Sequence, residues 1–121
     1  YTPNKISFEK IKKADNIFNL ELKKTEDILL HLGKQKTKDQ IVVGFALETN
    51  NEKENALSKL KNKNIDLIIL NSLNDSGAGF GTDTNKINIF DRLGNEFSFE
   101  KKSKKLVAVD IVNAIIQYKN A

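Results

Sequence analysis

The 121 residues include no cysteine, methionine or tryptophan, and proline (Pro3), histidine (His31) and arginine (Arg92) occur once each. Without cysteine there can be no disulfide, thiolate metal site or thiol nucleophile. One histidine cannot pair with another around a metal. His31 stands between Leu30 and Leu32 with no serine, cysteine or second histidine near it in sequence, so it reads as a structural residue. A single arginine and few aromatics argue against a nucleic-acid reader, which uses arginine for bidentate base contacts and aromatic rings for stacking. No apolar run approaches the roughly 20 residues of a spanning helix. No signal-peptide pattern appears, and together with the missing cysteine this makes the cytoplasm the expected location.

What is present suits one domain with one core, at 39% hydrophobic and 30% charged residues. The net charge of +4 comes from lysine, concentrated in Lys10-Ile11-Lys12-Lys13 and Lys101-Lys102-Ser103-Lys104-Lys105. Charge runs of this kind are ordinarily solvated faces. The chain starts at Tyr1 in a polar stretch without methionine and is expected to be part of something longer.

The organising stretch is Gln40 to Asn51. Its apolar, β-branched run suits a strand over Ile41–Phe45 covered on both faces, and Thr49-Asn50-Asn51 offers side-chain oxygens for a helix N-cap. In open α/β sheets, ligands lie outside the carboxyl ends of strands, next to exposed helix amides, so this joint is the first place to expect one. Residues 1–15 read as an extended arm or flap and 16–121 as an α/β core. Ile17 to Leu22 alternates as a half-exposed strand. Thr25 is the expected cap of a short helix with Glu26 and Asp27 in its first turn, Ile28, Leu29 and Leu32 on one face, and Gly33 as its stop.

Asn51 to Asn62 reads as a helix facing inward through Ala56, Leu57 and Leu60, with Lys59 and Lys63 four apart on another stripe. Like charges at that spacing repel by a few tenths of a kcal/mol, roughly, unless an anion lies between them. Ile65 to Leu70 is a second buried strand, with Asn71 at its carboxyl end. Together these elements predict a right-handed βαβ unit with parallel strands. Gly77-Ala78-Gly79-Phe80-Gly81 does not qualify as a dinucleotide turn, because it leads into a strand, Lys86 to Phe90, and not a helix. Asp83 and Asn85 start like a calcium loop, but Ile87 and Asn88 break its ligand pattern. Asp91 to Asn95 predicts a hairpin turn into Glu96 to Glu100. A closing helix over Lys104 to Lys119 should face the sheet through Leu106, Val109, Val112, Ile115 and Ile116. The fold class is α/β, a Rossmann-like three-layer sheet, partly parallel, with a C-terminal antiparallel hairpin and closing helix.

Lys10-Ile11-Lys12-Lys13, Val43-Gly44-Phe45-Ala46-Leu47-Glu48-Thr49-Asn50, Asp66-Leu67-Ile68-Ile69-Leu70-Asn71 and Gly79-Phe80-Gly81-Thr82-Asp83-Thr84-Asn85 occur in one order and spacing. In this the chain resembles bacterial phosphopantothenate–cysteine ligase, commonly the C-terminal half of a bifunctional coenzyme A biosynthesis flavoprotein. The resemblance implies a homodimeric, CTP-dependent ligase assisted by Mg²⁺. The carboxylate of 4′-phosphopantothenate attacks the α-phosphate of CTP to give an acyl-cytidylate and pyrophosphate, and the amine of L-cysteine then displaces CMP. FMN would belong only to an upstream decarboxylase domain.

By the same resemblance Lys10 is a catalytic, CTP-contacting lysine on a flap. Glu26, Asp27, Ile28 and Leu29 match a nucleotide-contacting segment that usually starts with proline, so Glu26 implies a backbone contact. Phe45 matches an aromatic at the CTP pocket, expected also to be packed, with Gly44 allowing close backbone approach. Lys59 and Lys63 match two CTP-contacting lysines, and phosphate between them would explain their spacing. The family's glycine-rich first βα turn, an essential asparagine and an aspartate just ahead of Tyr1 have no counterpart here. The chain is therefore expected to be an incomplete domain without ligase activity alone. The competing reading is a non-catalytic α/β nucleotide-binding or interaction domain whose lysines are surface charge; a nucleic-acid-binding module ranks below both.

Overall fold

The computed structural model describes residues 1–12, 16–72 and 81–121. Lys13 and most of the glycine loop, including Gly77, Gly79 and Phe80, lie outside these. The elements are β1 (Thr2–Pro3), β2 (Leu22–Lys23), α1 (Ile28–Gln35), β3 (Val43–Glu48), α2 (Glu52–Asn62), β4 (Leu67–Ser72), β5 (Thr84–Asn85), β6 (Ile87–Asp91), β7 (Glu96–Ser98), β8 (Lys102–Ser103) and α3 (Lys104–Asn120). The main sheet has the order β3-β4-β6-β7. β3 and β4 are parallel, with Val43 opposite Leu67, and β4/β6 and β6/β7 are antiparallel. The partly parallel sheet, the hairpin and the closing helix are thus as the sequence implies.

Two apolar layers hold the helices to the sheet. On one face Ala46, Ile68, Leu70 and Phe90 meet Ala56 and Leu60 of α2, with Leu29 of α1 packed alongside. On the other, Leu67, Ile69, Ile87 and Ile89 meet Val107 and Ala114 of α3. Strand residues that are buried on both faces explain the continuous apolar run of β4.

The closing helix corrects the sequence reading. Leu106, Val109, Val112 and Ile116 are each more than half exposed, while Val107 and Ala114, with Ile111, Ile115 and Tyr118, face the sheet. Both sets recur at helical spacing, so periodicity alone marks two faces, and the sheet takes the one that includes Val107 and Ala114. Leu57 is likewise turned outward, at 40% exposure, unlike Ala56 and Leu60.

The expected strand over Ile17–Leu22 does not form; only Leu22 is in one, in a two-residue pairing of β1 with β2. A strand needs a partner along its length, and the partner here is two residues long. Asp27, not Thr25, caps α1, accepting from the Leu30 N–H at 3.0 Å. Gly33 does not stop that helix, which runs on to Gln35. A Cβ on Gly33 would lie 1.8 Å from the Lys63 carbonyl oxygen, so glycine is what lets α1 lie against the end of α2. Asn64, in the left-handed region at φ 54°, closes that crossing by donating from Nδ2 to the Gly33 carbonyl at 2.7 Å.

At the amino ends of the parallel strands, Asp66 is buried and accepts from Lys36 Nζ at 2.6 Å, the Val42 N–H at 2.8 Å and the Tyr118 hydroxyl at 3.0 Å. Burial pushes its carboxyl up, but the Lys36 ammonium and the other two donors outweigh that and hold it below the usual range. Burial, and then Asp66 itself, push the Tyr118 phenol up. A carboxylate with a lowered folded-state pKa adds stability that is present above its unfolded value, about 3.9, and lost as the pH falls through the folded one. Asp66→Asn should cost about 3–5 kcal/mol at neutral pH, as for a broken buried pair. It should also shrink the acid-side loss of stability; denaturant titrations of both proteins at pH 7 and pH 3 measure this, and parallel losses would contradict it.

Candidate nucleotide site

The carboxyl end of α2 and the start of α1 form one corner. Asp27 caps α1 through Oδ1, and its Oδ2 lies 3.1 Å from Lys63 Nζ. The Leu30 N–H, and then Lys63, hold the Asp27 carboxyl below its usual range. The Leu29 N–H also turns toward the Asp27 carboxylate, and the Ile28 N–H, the first of the helix, has no intrahelical acceptor. Glu26 is exposed, with His31 Nδ1 3.4 Å from its carboxylate. Ile28 is 69% exposed, whereas Leu29 points into the core, against the space that Gly44 leaves open. The expected shared face of Ile28, Leu29 and Leu32 therefore splits, with Leu32 also largely exposed.

A cavity of about 340 Å³ adjoins this corner, lined by Tyr1, Lys24, Thr25, Glu26 and Asp27. Tyr1 reaches it because β1 pairs with β2, reinforced by the Asn4 N–H donating to the Glu21 carbonyl at 2.9 Å. The arm is thereby anchored beside the start of α1. Lys10 stands exposed on its continuation.

The β3–α2 joint forms a second corner. Lys59 pairs with Glu48, whose side chain is only 12% exposed. Asn55 Nδ2 donates to the Glu48 carboxylate at 3.2 Å and to the Asn50 carbonyl at 2.9 Å. Asn51 occupies the cap position of α2 in the left-handed region at φ 45°, without the side-chain cap bond the sequence suggests. Lys59 and Lys63 thus lean on carboxylates from two different elements.

Phe45 does not join them. Gly44 and Ala46 face α1 and α2, so alternation along β3 sends Phe45, like Val43, to the α3 side of the strand. It is 70% exposed, which corrects the expectation that it is packed. Sequence reasoning missed Glu48, Asn55 and Gly33 as site builders. Glu48 and Lys59 are joined across a strand–helix turn that no helical period reveals, and Gly33 looks like an ordinary stop.

Residues 1–118 match the family described as DNA/pantothenate metabolism flavoprotein C-terminal domain. The chain belongs to that family. It is 44% identical to the coenzyme A biosynthesis bifunctional protein CoaBC of Bacillus subtilis over 95% of its own length and 28% of the relative's. To CoaBC of Haemophilus influenzae it is 36% identical over 97% of its length and 29% of the relative's. A protein described as cysteine/cysteine sulfinic acid decarboxylase, from an unknown prokaryotic organism, is 52% identical over 96% of this chain and 32% of that protein. The chain thus spans about a third or less of these relatives. The crystal structure of the C-terminal domain of CoaBC superposes with a TM-score of 0.68 at 39% identity, over 80% of this chain and 46% of that one. The solved likeness and the family model together match this chain to the C-terminal part of CoaBC.

Because Phe45 is exposed, Phe45→Ala should change stability by no more than about 0.5 kcal/mol. A melting temperature well below that of the wild type would show that Phe45 is buried against something further.

Proposed function

We propose that this chain is the C-terminal part of a ligase domain that joins 4′-phosphopantothenate to L-cysteine at the expense of CTP. The observation that supports the reading most directly is the Asp27–Lys63 contact, 3.1 Å between residues 36 positions apart. It brings together the segment Glu26–Leu29 and the lysine end of α2, two stretches that the family resemblance assigns separately to one nucleotide. The cavity beside Asp27 extends this corner into a wall on which a triphosphate can rest, and the exposed Lys10 belongs to the same arm as Tyr1, which lines that cavity.

The chemistry asked of this wall is positioning and charge neutralisation. A carboxylate oxygen of 4′-phosphopantothenate forms a bond to the α-phosphorus of CTP as the bond to pyrophosphate breaks. The cysteine amine then attacks the acyl carbon, the bond to CMP breaks, and the amine proton is lost to solvent or a base. Lys59, Lys63 and Lys10 can offset phosphate charge in the first step. The Ile28 N–H at the start of α1 can hold the base or a phosphate. Among the described residues no group of three His, Cys, Asp or Glu side chains is placed to hold a metal. Mg²⁺ is ordinarily held by one or two carboxylates together with substrate phosphates, so an ion accompanying CTP would take most of its ligands from the triphosphate and water.

The runner-up, a nucleotide-binding domain without catalysis, separates from this reading in two measurements on the protein at its full natural length. Pyrophosphate release should require both CTP and 4′-phosphopantothenate, and CTP should bind in preference to ATP; binding without release would favour the runner-up. Lys10→Gln should lower turnover about tenfold to a hundredfold, the worth of one charge-assisted contact, while the melting temperature holds. Unchanged turnover would remove Lys10 from the site.

A further inference from the structure

A second cavity, of about 370 Å³, opens on the α2 face of the sheet near the carboxyl end of β4, and the nucleotide wall does not use it. Its lining includes Glu52, Ser72, Lys86, Asn88, Ser98 and Glu100. The sheet dictates how these are arranged. Asn88 is opposite Leu70 on one side and Ser98 on the other, so all three share a face. The antiparallel ladder continues through the Phe99 N–H donating to the Ile87 carbonyl at 3.1 Å. Beyond it the register shifts by one residue, since Asn85 pairs with Lys102, and Lys86 and Glu100 flank that shift and line the cavity. Glu52, in the first turn of α2, comes from above; its carboxylate is held by the Ser72 hydroxyl at 2.7 Å.

The cavity therefore carries both signs of charge within a small polar volume. A polyanion would meet Glu52 and Glu100, and a simple cation would meet Lys86. A molecule with an ammonium and a carboxylate on one carbon satisfies both, with its side chain over Leu70 and the hydroxyl groups of the floor. We infer that this cavity is the subsite for a free α-amino acid, with Lys86 on its carboxylate and Glu52 and Glu100 around its ammonium. This rests on the ligase reading, in which the amino acid is the acceptor, L-cysteine. Glu52 and Lys59 are seven residues apart on α2, about 10 Å along its axis, so the cavity and the nucleotide wall are set on one helix.

The test uses the protein at its full natural length with Lys86→Gln and Glu100→Gln; Glu100 is exposed, so its substitution should not unfold the protein. Each variant should raise KM for L-cysteine about tenfold or more, while cysteine-independent pyrophosphate release from CTP and 4′-phosphopantothenate stays within twofold of wild type. L-cysteinamide, which lacks the carboxylate, should show a high KM in the wild type that Lys86→Gln does not raise further. An unchanged KM for L-cysteine in both variants, or equal losses in pyrophosphate release, would overturn the subsite. If the wild type releases no pyrophosphate, the ligase reading fails instead, and calorimetric titration of L-cysteine decides the subsite: binding that Glu100→Gln weakens keeps it, and no binding removes it.

Discussion

The Asp66 carboxylate is the point on which the arrangement hangs. It ties the residue after α1 (Lys36), the entry to β3 (Val42) and the last turn of α3 (Tyr118), while its own carbonyl accepts from the Arg92 N–H at 2.9 Å in the hairpin turn. Both helical layers and two loops are therefore fixed at the amino ends of the parallel strands. A buried ion pair gains little over an apolar substitute, but it is costly to leave half-made, so it selects one arrangement of its partners. That end is locked by polar contacts, while Glu48 and Ser72 terminate the parallel strands at the other.

Much of this was legible in the residues. The apolar runs of β3 and β4, the hairpin at Asp91 to Asn95 and the helix through Ala56 and Leu60 follow from local patterns whose tertiary setting agrees with them. The failures share a cause. Gly33 sits inside α1 because of a carbonyl 30 residues away, and α3 shows the sheet a face that its own periodicity cannot distinguish from the opposite one. Both outcomes are decided by a neighbour, which a single stretch of sequence does not contain.

The candidate site was partly legible for the same reason. The family resemblance points to Lys59, Lys63 and Glu26 to Leu29, and the fold places Asp27 against Lys63. The carboxylate under Lys59 comes from the end of a strand, and the hydroxyl and amide floor of the second cavity emerges only when β4, β6 and β7 are laid side by side. Phe45 stands apart, on the other side of its strand and mostly in solvent.

The pairing of Lys59 with Glu48 and of Lys63 with Asp27 has a consequence for kinetics. Adjacent opposite charges cancel over a distance comparable to their separation, so beyond roughly 8–10 Å in physiological salt little of their field remains. These two lysines therefore do little to draw in passing polyanions from afar, and an abundant competitor such as nucleic acid gains little from its charge at this corner. On the proposed ligase reading, capture there comes from contact: a ligand has to arrive, fit, and share or displace the carboxylates before the lysine charge becomes available to it. Discrimination is exercised after collision, at the cost of a slower encounter.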